Sequence, residues 1–178
     1  MGFGNSFGIS SETNNNIQTK GLVFYIDAAY KKSYPRSGAT WSDIGSGVDG
    51  TVYNATFDSS GYFNLDGSGD YISLDGFSSE LVGMSNFTLS LWFRYHTGSG
   101  YQYLLSMGDG SLAWNNKKWH LSLNKNSNKF WWGSFGDATH QNDNCGSEMT
   151  NNTIYNVVFN SDGTIYKNGV SDATDKTN

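Results

Sequence analysis

An all-β fold is what this sequence predicts, on three observations. In residues 87–95 (FTLSLWFRY), Phe87, Leu89, Leu91, Phe93 and Tyr95 share one face while Thr88, Ser90 and Arg94 share the other. That is the two-residue period of a half-buried strand, and Trp92 alone breaks it, on the second face. Short runs rich in β-branched and aromatic residues recur along the chain between clusters of Asn, Asp, Ser and Gly. Helical periodicity is nearly absent, and only residues 78–84 read as a helical turn.

In chain order, residues 1–20 are rich in Gly, Asn and Ser, with isolated Phe3, Phe7, Ile9 and Ile17. They hold too little apolar surface to fold alone and read as an arm, either a frayed terminus or one that docks Phe3 and Phe7 on a neighbouring subunit. Residues 22–26 (LVFYI) form a continuous apolar run, expected as a strand covered on both sides. Pro35, the only proline, and Gly38 mark a turn, and Trp41 follows as an anchor. Further strands are expected at 51–53, 62–65, 71–74, 87–95, 103–107, 119–124, 129–135, 154–159, 164–166 and 170–173. Two dipeptides, Asp162-Gly163 and Asn168-Gly169, sit between apolar runs and take the positive backbone angles of two-residue hairpin turns.

The order of GLVFYIDAAYKKSYPRSGATWSDI, GTVYNATFDSSGYFNLDGSGDYISL and SNFTLSLWF, over residues 17–107, resembles the laminin-G-like or concanavalin A-like jelly-roll domain of tailed-bacteriophage structural proteins. The resemblance implies a two-sheet antiparallel jelly-roll sandwich over residues 21–178, preceded by the arm of residues 1–20. It also implies one or two strands beyond TIYKNGVSD, so a sandwich lacking its last strands is expected here. The open edge would be covered by the arm, by a strand from another chain or, preferably, by a continuation of the polypeptide.

Composition narrows the function. The 178 residues (19.6 kDa) suit one domain with a real core, and the surface is solvated by Asn, Ser, Thr and Gly: charged residues are only 15% against 16% aromatic. A net charge of −5 with 11 Lys and Arg leaves no basic footprint for nucleic acid; the pairs Lys31-Lys32 and Lys117-Lys118 read as solvated edges. Cys145 stands alone, so no intrachain disulfide is expected. No apolar run approaches a membrane span, and residues 1–20 lack the pattern of a secretion signal. An outward-looking surface without an export signal fits a virion component, assembled in the host cytoplasm and released by lysis; a cleaved signal and an extracellular protein fit as well.

Catalytic patterns are weak. Glycosidases pair two carboxylates on one strand face, whereas Glu12, Glu80 and Glu148 are isolated. His96, His120 and His140 have no nucleophile elbow or metal-ligand spacing and read as surface imidazoles, with His120 pointing away from the face of Trp119 and Leu121. His140, Asp143 and Cys145 in one loop are a faint metal signal. In LDGSGDY, Asp66 and Asp70 are the best calcium candidates, although a hairpin turn demands the same residues. For sugars, Trp131 and Trp132 of KFWWGSF, with Trp114 and Tyr101, are the candidate stacking platform; the competing reading is that these rings fill the sandwich core. The expectation is a non-enzymatic structural or adhesive component of a tailed-phage virion, such as a decoration, neck or fibre protein. It would contact other virion proteins or identical subunits, and surface glycans. The other class is a lectin-like module of a secreted or cell-surface bacterial protein.

Overall fold

The computed structural model describes residues 20–45, 47–80, 86–98, 102–107, 118–124, 127–135, 144–162 and 164–172. Among them the chain is all-β, with antiparallel sheets and a single helical turn, α1 (Phe77–Glu80), where the sequence predicts one over 78–84. The arm of residues 1–20 lies outside the described residues except for Lys20. Two compact units divide the chain: Met1–Leu65 with Asp70–Glu80, and Asp66–Gly69 with Leu81–Asn178.

The first unit is poor in strands. Its sheet has the order β1 (Thr40–Trp41), β2 (Gly50–Tyr53), β5 (Tyr71–Ser73), and β3 (Thr56–Asp58) pairs with β4 (Tyr62–Asn64) as a separate hairpin. β1 and β3 have no sequence signal, because strands of two or three residues are too short to show alternation. Aromatic rings fill the interior. Tyr34 lies 5.1 Å from Phe57 and 4.7 Å from Phe63, and Trp41 lies 4.8 Å from Phe63, ring centre to ring centre.

The strand expected at residues 22–26 does not form. These residues are half-buried but pair with no ladder. Instead the Tyr25 N–H donates to Asp43 Oδ1, and the Tyr25 carbonyl accepts from the Ile44 N–H at 2.9 Å. The other oxygen of Asp43 accepts from the Gly47 N–H. Gly47 is required by close approach, since a Cβ there would sit 2.7 Å from the Val23 carbonyl. Deeper in, Ser33 is wholly buried; its Oγ accepts from the Asp27 N–H at 3.0 Å and donates to the Ser42 carbonyl at 2.6 Å. Side chains therefore satisfy backbone groups that a ladder would otherwise take.

The second unit is built on two four-stranded sheets. One has the order β10 (Asn144–Cys145), β9 (Lys129–Phe135), β8 (Lys118–Asn124), β7 (Gln102–Met107). The other has the order β13 (Val170–Ser171), β12 (Ile165–Lys167), β11 (Thr153–Asn160), β6 (Thr88–Tyr95). Both sheets feed one core: Leu121, Leu123 and Phe130 from the first, Tyr95, Tyr155, Val157, Phe159 and Ile165 from the second, with Met149 beside them. Phe93 meets Phe130 edge-on at 6.3 Å. The arrangement is sandwich-like, and each large side chain buried this completely stabilises by about 1.5–3 kcal/mol.

Turn chemistry closes this unit as the sequence predicts. Asn168 (φ 51°) and Gly169 (φ 79°) link β12 to β13. The Asn168 Oδ1 also accepts from the Asn156 N–H at 2.9 Å. Before β12, Asp162 Oδ1 accepts from the Thr164 N–H at 2.8 Å; Gly163 lies outside the described residues.

A polar clasp joins the end of β13 to residues 146–150. Asp172 accepts from the Ser147 N–H at 3.0 Å and from its hydroxyl at 2.7 Å, and pairs with Lys167 Nζ at 3.2 Å. Burial pushes the Asp172 carboxyl up, but the Ser147 hydrogen bonds and the Lys167 ammonium outweigh it and hold the group below its ordinary range. The same ammonium lies 5.7 Å from the centre of the Tyr155 ring.

His120 corrects the expectation of a surface imidazole. It is 2% exposed, and its neighbours Leu121, Ser122 and Leu123 are buried too. β8 is an interior strand, flanked by β7 and β9 and covered on both faces, so alternation there does not separate inside from outside. The Tyr103 ring packs edge-on against the imidazole at 5.7 Å, and burial drives its pKa down to about 4.

Candidate functional site

The outward face of β6, β11 and β12 carries the most exposed large apolar side chain among the described residues, Trp92, at 75%. Its position follows from the strand period. Leu89, Leu91, Phe93 and Tyr95 turn to the core, so Thr88, Ser90, Trp92 and Arg94 must turn outward.

Across the ladder, Trp92 faces Asn156, Ser90 faces Val158, and Arg94 faces Ile154, which is 52% exposed. Tyr166 of β12 extends the row of Ser90 and Val158. The Asn152 N–H donates to the Tyr95 carbonyl and the Ser161 N–H to the Phe87 carbonyl, so the odd-numbered residues of β6 form the hydrogen-bonded pairs with β11. Trp92 and Asn156 are therefore a non-hydrogen-bonded pair, the kind that brings side chains closest. The Asn156 Nδ2 donates to the Leu91 carbonyl at 3.3 Å and to Ser90 Oγ at 3.4 Å, which fixes the amide plane beside the indole.

A rigid sheet thus holds an indole in solvent with an oriented amide, a hydroxyl and a guanidinium around it. Such a surface can stack against the apolar face of a pyranose while the amide and hydroxyl meet sugar hydroxyls. On the first unit, Tyr53 and Tyr71 stack at 4.5 Å with 14° between ring planes and are 40% and 51% exposed. The two rings of that pair are already engaged with each other.

Trp131 and Trp132 lie on β9, opposite Ser122 and Leu121 in the ladder with β8, and their side chains lie outside the described structure. Trp114 and Tyr101 lie outside the described residues. Asp66, proposed for calcium, accepts the Ser68 N–H at 2.7 Å in a turn whose Gly67 and Gly69 have positive φ, and Asp70 directly precedes β5. The turn makes direct use of the Asp66 carboxylate. Among the described residues no three His, Cys, Asp or Glu side chains gather as a metal site would require.

Trp92 is not among the sugar candidates that the sequence points to, although its irregularity is visible there. An indole on the polar face of an otherwise clean alternation is what an exposed aromatic contact looks like in sequence. Compared with family models, characterised proteins and solved structures, the chain matches none.

Proposed function

We propose that this chain is a concanavalin A-like jelly-roll domain acting as a non-enzymatic structural and adhesive component of a tailed-phage virion, with the Trp92 face as its glycan contact. One observation carries the adhesive half: Trp92 is 75% exposed beside an amide held in place by Leu91 and Ser90. An indole left in water on a rigid face has an energetic cost that ligand contact removes. The structural half is supported by the two antiparallel sheets sharing one core and by the ordered motifs of residues 17–107. Other virion proteins or identical subunits would anchor the domain. The same face would serve equally in a lectin-like module of a secreted bacterial protein.

The test is a glycan array probed with the purified chain. Binding that disappears in Trp92→Ala, with thermal unfolding unchanged, supports the contact; a folded protein that binds no glycan removes it. Antibody labelling of intact phage particles tests the virion setting, and particles without the protein would leave the secreted-module reading.

A further inference from the structure

Among the described residues, four strands end the two sheets of the second unit, and three of them are blunted. β10 and β13 have two residues each, and the six-residue β7 shifts register between Tyr103 and Leu105. Shortness and bulges are how natural sheets discourage edge pairing. β6 has neither protection: all eight of its residues pair in unbroken register with β11, and it contains no proline and no lysine.

The orientation of its backbone groups follows from the ladder. The odd-numbered residues direct N–H and C=O to β11, so Thr88, Ser90 and Trp92 direct theirs to the opposite side. On that side no strand pairs with β6 among the described residues. The core face shows the same incompleteness. Tyr155, Val157 and Phe159 of β11 are 6%, 1% and 1% exposed, while Leu89, Leu91 and Phe93 of β6 are only partly buried.

We infer that the open edge of β6 pairs antiparallel with β6 of a second copy of this chain, joining two four-stranded sheets into one. The strand is self-complementary about Leu91. A two-fold axis there sets Ser90 against Trp92 of the second copy, Thr88 against Arg94, and Leu89 against Phe93. Each large or charged side chain meets a small polar one on the outer face, and apolar residues meet on the core face. A two-fold axis at Trp92 would oppose two indoles directly. One at Ser90 would leave Arg94 beyond the paired strand. The Leu91 register pairs residues 88–94 of the two copies, and it places two Trp92 side chains on one continuous face. The dimer stands independently of what that face binds.

Sedimentation velocity of the whole chain reads the result, with a dimer expected in place of the 19.6 kDa monomer. In Ser90→Pro the lost N–H belongs to the open edge and not to the β11 ladder, so the variant is expected to be folded and monomeric. Thr88 tests the register. Thr88→Glu, facing Arg94 of the second copy, is expected to tighten the dimer, and Thr88→Arg to weaken it by about tenfold, an effect relieved by salt. A wild-type monomer across the soluble concentration range overturns the inference. So does a folded Ser90→Pro that stays dimeric, or a pair of Thr88 variants that shift the equilibrium in the same direction. If Ser90→Pro does not fold, the Thr88 pair decides alone.

Discussion

Around Tyr25, backbone groups are satisfied by carboxylates and hydroxyls: Asp43 takes two amide protons, and the buried Ser33 bridges Asp27 to Ser42. Around Val157 the same task falls to a ladder of eight consecutive residue pairs, and side chains are left to pack. In the first unit a few polar side chains each hold several backbone groups, so losing one releases a whole loop. In the second, hydrogen bonding is spread along the strands and stability is concentrated in apolar volume. The first kind of structure is specified by single residues, the second by a pattern.

Phe159→Ala puts the greatest strain on this contrast. It opens a cavity in the shared core, and a loss of about 3–5 kcal/mol is expected in denaturant unfolding. A loss below about 1 kcal/mol, the size expected of a surface substitution, would mean that the core of the second unit is not where its stability resides.

Asp43→Ala comes next, at about 2 kcal/mol, because it strands the Tyr25 and Gly47 amides. Hydrogen exchange should show faster exchange at those two amides while the protection of Val157 and Phe159 is retained. Uniform acceleration across both units would erase the distinction between them.

Acid is expected to weaken the second unit through His120. Its folded-state pKa is lowered to about 4 from 6.5, so as pH falls the unfolded chain binds the proton first. Stability is complete above about pH 6.5, declines through the interval and stops declining on this account near pH 4. Melting temperatures measured across that range should show the decline, and His120→Gln should flatten it. An unchanged slope in the variant would assign the acid sensitivity elsewhere.

The smallest effect on stability is expected at Trp92. Trp92→Ala removes no core contact, and its unfolding free energy should stay within about 0.5 kcal/mol of the wild type. A larger loss would show the indole to be a structural residue and would sharpen the boundary between the face of β6 and its core.

Legibility from sequence followed the same division. β6, β7, β8, β9, β11 and the Asn168-Gly169 hairpin lie within a residue or two of where alternation and turn chemistry place them, because both signals are local. Residues 22–26 carry as strong an apolar run as any strand, yet they pair with an aspartate eighteen positions away. No periodicity reports that contact. The candidate site was only half legible: Trp92 stood out as an irregularity in β6, but its exposure depends on nothing covering that face, and Asn156 meets it only through the β6–β11 register.

The all-β class, the main strands and their turns were determined by the sequence alone, since backbone geometry couples neighbouring residues directly. Which apolar run joins a ladder, which histidine is buried and which indole is left in water were decided by tertiary structure. Those outcomes depend on what lies on the far side of each strand, and strands as far apart in sequence as β6 and β11 leave no trace of their pairing in local spacing.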